Sequence, residues 1–399
     1  MNHPPVTAAC ATRRDFLTYL AAAGLLASCG GSDDPPPSER LTLTQKIGQM
    51  VMIGVIGASV DAPAVQQALA QIATGQLGGV ILYGRNVTGP TQVQALNDAL
   101  AAAAPIELPL LIALDQEGGR VQRLRASNGF ADTPAAEAVA AQQTLQQARD
   151  TYRVMARMVA QAGFNFNFGP VVDLRGDPGD PEHRPVSPVI GKLQRAFSDD
   201  PATVVAYATQ FVEAHREAGV ATALKHYPGH GLATGDTHLG LVDVTLSAQP
   251  IEQWPFQEMV RRGMADAVMS AHLLNRRVDP HWPVTLSEHY VEPQLRRRDG
   301  FAGVMVTDDL HMGAIQKYHS LRDTVVRSIL AGNDLLILSN NPLAAPEIPG
   351  FQPRFDLGQV VAGIVLDAID RGELSEARIE ASWQRLARLR AGLLALART

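Results

Sequence analysis

The stretch KHYPGHGLATGDTH, residues 225–238, sets a lysine, three histidines and an aspartate among glycines and a proline. Two readings of its histidines compete. His226, His230 and His238 could ligate a metal, imidazole being the commonest metal ligand. A metal-dependent barrel hydrolase would, however, carry a His-x-His at its first strand, and none stands there. The reading we adopt uses Asp236 and His238. On an extended loop, residues two apart share a face, so the carboxylate can accept the imidazole Nδ1–H, fix the tautomer and favour the cation when it forms. A histidine held in this way can give and retake a proton near neutral pH. Glycines 229, 231, 235 and 240 would let that loop move. A fixed carboxylate is available in GVMVTDD (303–309), where strand alternation lets only one of Asp308 and Asp309 face inward and does not choose between them. The other would cap the following helix. Lys225 and His226, together with Asp115, Arg123 and Arg195, form a ring of donors and acceptors suited to the hydroxyls or amide of a sugar.

The elements that must position these groups are short apolar runs: 47–55, 78–84, 109–115, 164–174, 220–227, 267–274, 303–309 and 333–340. They are apolar on both faces, as strands of a buried parallel sheet are, and segments with helical periodicity separate them. Eight such units predict a single-domain α/β fold, a (β/α)8 TIM barrel over residues 41–399. The competing open sheet would need a glycine fingerprint, and IGVIGAS (53–59) is a poor one without an acidic partner. Polar groups gather at the C-terminal ends of the runs: Asp115 with Gln116, Glu117 and Arg120; then Asp173; Lys225 and His226; His272; Asp308 and Asp309. That rim is where barrel enzymes carry their chemistry.

Composition sets the outer limits. With 399 residues, 46% hydrophobic and 19% charged, the chain can bury a large core. A formal charge of −6 without a long basic run argues against nucleic acid as a partner. The N-terminus reads as an export signal over residues 1–28: Arg13 and Arg14 resemble a twin-arginine motif, and the apolar stretch after them is too short to span a bilayer. LASC, ending at Cys29, resembles a lipobox, which makes Cys29 the lipidation site and residues 29–40 an anchor and flexible linker. Cys10 and Cys29 are the sole cysteines, so the mature body is expected to hold no disulfide. The expected localisation is the bacterial cell envelope, with the membrane reached through the lipid.

DQEGGRVQRL (115–124), KHYPGHG (225–231), GDTH (235–238) and VTDDLHMGAI (306–315) together resemble glycoside hydrolase family 3, in its β-N-acetylglucosaminidase branch, across residues 41–340. The resemblance implies a retaining double displacement without a cofactor or metal. It makes Asp308 the nucleophile and His238, oriented by Asp236, the acid/base. Asp115, Arg123, Arg195, Lys225 and His226 become the contacts to a terminal N-acetylglucosamine, on peptidoglycan fragments or chitooligosaccharides. QRAFS (194–198) departs from the family's usual Arg-Ser-Phe-Gly, and Tyr227 replaces a phenylalanine. A phosphorylase, a β-glucosidase of the same family and a non-catalytic glycan-binding lipoprotein are the alternatives; the enzyme is expected to be a monomer.

Overall fold

The structure, a computed structural model, describes residues 41–396 apart from 178, 181, 183, 345 and 347–350. The expected signal segment, Cys29 and the linker lie outside the described residues. Eight strands make one parallel sheet: β1 (Val51–Gly54), β2 (Gly79–Ile81), β3 (Leu111–Leu114), β4 (Phe166–Asn167), β5 (Ala221–Tyr227), β6 (Ala267–Ser270), β7 (Val304–Thr307) and β8 (Leu336–Leu338). They pair in chain order, and β8 pairs with β1. Between β7 and β8 a parallel bridge joins Val306 to Leu335, and the Thr307 N–H donates to the Leu335 carbonyl at 3.0 Å, so the sheet closes on itself. Every residue of these strands is buried, which the two-faced apolar runs require.

Helices ring the barrel: α1 (Leu43–Gly48), α2 (Pro63–Ala73), α3 (Pro90–Ala103), α4 (Ala136–Gln142), α5 (Leu145–Gln161), α6 (Pro201–Glu217), α7 (Trp254–Arg261), α8 (Gly313–Gln316), α9 (Leu321–Leu330), α10 (Leu357–Asp370) and α11 (Glu376–Leu396). Their starts follow local chemistry. Thr42 and Thr144 form reciprocal capping boxes with Gln45 and Gln147, while α2, α3 and α6 begin with proline, whose missing N–H costs nothing in a first turn.

Three of the expected runs are divided. The first, 47–55, begins in α1, which runs from its Thr42 cap to Gly48, so only Val51–Gly54 is strand. In the fourth, 164–174, just Phe166 and Asn167 enter the ladder, since Pro170 has no N–H to give it; a bridge from Val171 to Lys225 resumes the pairing beyond. The sixth, 267–274, splits after Ser270, and Leu273–Leu274 leaves the barrel to pair with Val242–Asp243, clamping the far end of the Asp236–His238 loop.

Candidate active site

The loop after β3 folds back through one side chain. Gln116 accepts the N–H groups of Arg123 and Leu124 on its Oε1, at 2.8 and 3.0 Å, and donates its Nε2 to the Leu124 carbonyl. Asn167, at the end of β4, holds Gln116 in turn by bonding both its N–H and its carbonyl. Arg123 is thereby returned to its own strand end, where its guanidinium donates to Asp115 at 2.8 Å.

A register shift in β5 between Leu224 and Tyr227 then aims two consecutive residues at the rim. Lys225 Nζ lies 2.9 Å from Asp115 and 2.7 Å from Glu117. The His226 Nδ1 is 2.7 Å from Asp173, whose other oxygen accepts the backbone N–H groups of His226 and His230. Arg195 meets Glu117 with two 2.8 Å bonds and stands 3.4 Å from His226 Nε2. All five sequence-derived sugar contacts therefore converge, including Arg195 from its atypical segment. They are not, however, an open ring of free groups: Lys225 is almost fully buried and paired with two carboxylates. Arg123 keeps a free Nε.

Charge pairing overrides burial here. Burial would raise the Asp115 carboxyl, but Lys225 and Arg123 hold it far below its usual range. Burial likewise opposes ionisation of Glu117, yet Arg195 and Lys225 bring it down to about 2. Lys225 and Arg195 are raised against their own desolvation by the same carboxylates. The cluster stays charged across the working pH range.

Glu117 was legible as a strand-end charge, but its function of tying Lys225 to Arg195 was not. Tyr83 was missed altogether. It follows β2, and its ring lies beneath two guanidiniums, Arg85 at 4.9 Å and Arg123 at 5.6 Å. Burial, then Asp309 and Asp115, push its hydroxyl far up. Its place at a strand end was the available signal. Tyr227, by contrast, packs edge-on against Phe256 with its hydroxyl unpartnered, away from the rim cluster.

Across the rim, β7 ends at Thr307, and the Asp308 N–H continues the ladder to the Ser270 carbonyl at 3.1 Å. The two aspartates separate as alternation requires. Asp309 turns inward to structure, accepting the N–H groups of His311 and Ser339 at 3.0 Å each; burial raises its carboxyl to about 6. Among the described residues, Asp308 accepts just the neighbouring Asp309 N–H, at 2.8 Å. Burial would raise it, but His272, His226, that N–H and His238 hold it below the usual range, leaving an ionised carboxylate. His272, fully buried, donates Nε2–H to the Asp309 carbonyl at 2.9 Å and so braces the turn behind Asp308.

Asp236 and His238 form the expected pair: Oδ1 lies 2.8 Å from His238 Nδ1 and also accepts the His238 backbone N–H at 2.9 Å. The imidazole side chain is half exposed, with Nε2 left for a substrate. The glycines of this loop do not all confer mobility. Gly229 has φ +135°, and a Cβ on Gly231 would lie 1.8 Å from the Leu174 carbonyl oxygen, so close packing dictates both. Among the described residues, no three His, Cys, Asp or Glu side chains gather as metal ligands would.

A closed parallel barrel whose C-terminal rim bears an ionised carboxylate, a carboxylate–imidazole pair and a charged, polar-gripping cluster is built as a glycoside hydrolase, and that is the class of this enzyme. The comparisons sharpen the class. The profile of the glycosyl hydrolase family 3 N-terminal domain matches residues 42–389. A beta-hexosaminidase of Xylella fastidiosa (strain 9a5c) is 36% identical over 329 residues, covering 79% of this chain and 91% of that protein. The structure of a glycoside hydrolase family 3 beta-N-acetylglucosaminidase from Paenibacillus sp. str. FPU-7 superposes with a TM-score of 0.77 at 35% identity; the match covers 90% of this chain and 63% of that longer one. A beta-N-acetylhexosaminidase structure from Beutenbergia cavernae gives a TM-score of 0.75 at 29% identity, over 88% of this chain and 98% of the other. The chain belongs to glycosyl hydrolase family 3.

Proposed function

We propose that the enzyme is a retaining, exo-acting β-N-acetylhexosaminidase that removes terminal N-acetylglucosamine. The observation that carries this reading is the division of labour at the rim. Asp308 is ionised and nearly free of hydrogen bonds, while His238 has one ring nitrogen fixed by Asp236 and the other open. In the first step Asp308 attacks the anomeric carbon as the His238 imidazolium gives its Nε2 proton to the leaving oxygen. The neutral imidazole then takes a proton from water, which attacks the same carbon and frees Asp308. Asp115, Arg123, Arg195, Lys225 and His226 grip the terminal sugar, the first four through their ion-paired oxygens and nitrogens. The relatives' names support a hexosaminide as substrate; its proposed sources are peptidoglycan fragments or chitooligosaccharides. The N-terminal sequence supports export and anchoring through Cys29 in the cell envelope.

The test is mass spectrometry of the enzyme after incubation with a 5-fluoro N-acetylglucosaminyl donor. The expected adduct is on Asp308, and Asp308→Ala should neither trap the donor nor turn over substrate. A covalent sugar on any other residue would overturn the assignment. Release of free N-acetylglucosamine at a rate independent of added phosphate is expected; sugar phosphate as product would make the enzyme a phosphorylase.

A further inference from the structure

His238 is exposed, and its side chain is held by Asp236, so the position of its Nε2 depends on where the backbone of residues 236–240 sits. That backbone is fastened by one short segment. The Thr237 carbonyl accepts the Ala314 N–H at 3.0 Å, and the Leu239 carbonyl accepts Lys317 Nζ at 2.6 Å. Between them the His238 carbonyl oxygen approaches Gly313 so closely that a Cβ there would lie 2.4 Å away. Three successive carbonyls of the acid/base loop thus rest on residues 313–317. The same segment leads directly from the nucleophile: Met312 N–H donates to the Asp309 carbonyl, and the Asp309 carboxylate holds His311. Thr237 is buried as the foot of the loop, whereas Lys317 is exposed at its outer edge.

We infer that the 313–317 segment is a latch that sets the register of the acid/base loop against Asp308, with Lys317 as its releasable positioning residue. The inference rests on the functional reading above for its kinetic meaning. A buried foot and an exposed clasp have different consequences. The Ala314–Thr237 bond is a fixed hinge, while a solvent-facing lysine on a flexible stem holds the loop with a bond water can replace. The loop closes over a leaving group when Lys317 engages and frees the product when it lets go.

Lys317→Met tests this in two ways. With N-acetylglucosaminides, kcat/KM should fall about three- to tenfold on a phenyl glycoside, whose poor leaving group needs the acid, and less than about twofold on a dinitrophenyl one; the lost bond is worth about that much and general acid help sets the ceiling. Lys317→Arg, which keeps a donor, should restore the phenyl rate. In a His238→Ala background the Lys317→Met change should have no further effect, because a residue acting through His238 cannot act without it. Equal losses on both substrates, no loss, or additivity with His238→Ala would overturn the latch. Hydrogen exchange of residues 235–241 should quicken in Lys317→Met whether or not the enzyme is active; unchanged exchange also overturns it. A wild type inert toward both glycosides but with faster loop exchange in the variant would instead refute the hexosaminidase reading and leave the latch standing.

Discussion

Replacing Glu117 with glutamine keeps the shape of the site and removes one charge from its centre. That carboxylate takes two bonds from Arg195 at 2.8 Å and one from Lys225 at 2.7 Å. At an effective dielectric of about 20, each such pair attracts with roughly 6 kcal/mol, most of which is offset by stripping water from buried charges. The net value follows from the depressed pKa. Glu117 ionises at about 2 in the folded protein against 4.5 ordinarily, and that gap corresponds to about 3 kcal/mol at neutral pH. The cost expected for breaking a buried pair, about 3–5 kcal/mol, agrees. A carboxylate with a depressed folded pKa stabilises above the unfolded value and loses that contribution as pH falls toward the folded one. Glutamine resembles the protonated acid, so the difference between wild type and Glu117→Gln should be about 3 kcal/mol at pH 7 and shrink by half or more near pH 3. Urea unfolding of both proteins across that range measures it. A difference under about 1 kcal/mol at pH 7, or one that does not change with pH, would refute the ion-pair account. Without Glu117 the Arg195 and Lys225 side chains lose their common anchor, so kcat/KM should drop at least about tenfold in the same preparation.

Two further outcomes are expected. Burial raises Glu252 to about 7 despite the N–H groups of Leu232 and Gln249 on its carboxylate, so its contribution is complete below the unfolded value near 4.5 and is lost as pH rises through 7; Glu252→Gln should flatten that loss between about pH 4.5 and 7 in thermal unfolding, and a profile identical to wild type would contradict it. Gly231→Ala places a Cβ against the Leu174 carbonyl oxygen and should destabilise by at least about 2 kcal/mol or prevent folding, whereas Gly263→Ala, with open space around it, should cost much less despite its φ of +68°; comparable midpoints in denaturant would show that the loop has room to shift.

The barrel could be read from the sequence because each strand is buried on both faces and therefore continuously apolar, a pattern that needs no knowledge of partners. The boundaries were harder. The helix capped by Thr42 and Gln45 runs on to Gly48, inside what looked like strand, and a proline at 170 ended the ladder of β4 that apolarity alone would have prolonged. The site residues were visible as polar groups at strand ends. What they do to one another was not, because it depends on distances between segments far apart in the chain: Lys225 reaches Glu117, and Arg195 arrives from a segment whose composition gave little indication of it. Asp308 and Asp309 could not be told apart by alternation. The structure separates them by their donors: among the described residues, Asp309 takes two backbone N–H groups from loops that need an anchor and Asp308 takes its neighbour's.

The rim thus divides into two mechanical halves. On the β3–β5 side, Asp115, Glu117, Arg123, Arg195 and Lys225 are paired with one another, Glu117 and Lys225 being buried, so the cluster is rigid before a sugar arrives and little ordering remains to oppose binding. On the β7 side, the carboxylate sits at the end of a barrel strand, but the imidazole proposed as its acid/base partner stands half exposed on a loop tied down through backbone carbonyls. The double displacement proposed above asks for this asymmetry. The terminal sugar must stay in one place through both steps, while the proton carrier must admit first a leaving group and then a water at the same position. A pocket rigid throughout would trap the aglycone, and one loose throughout would lose the near-attack geometry at Asp308.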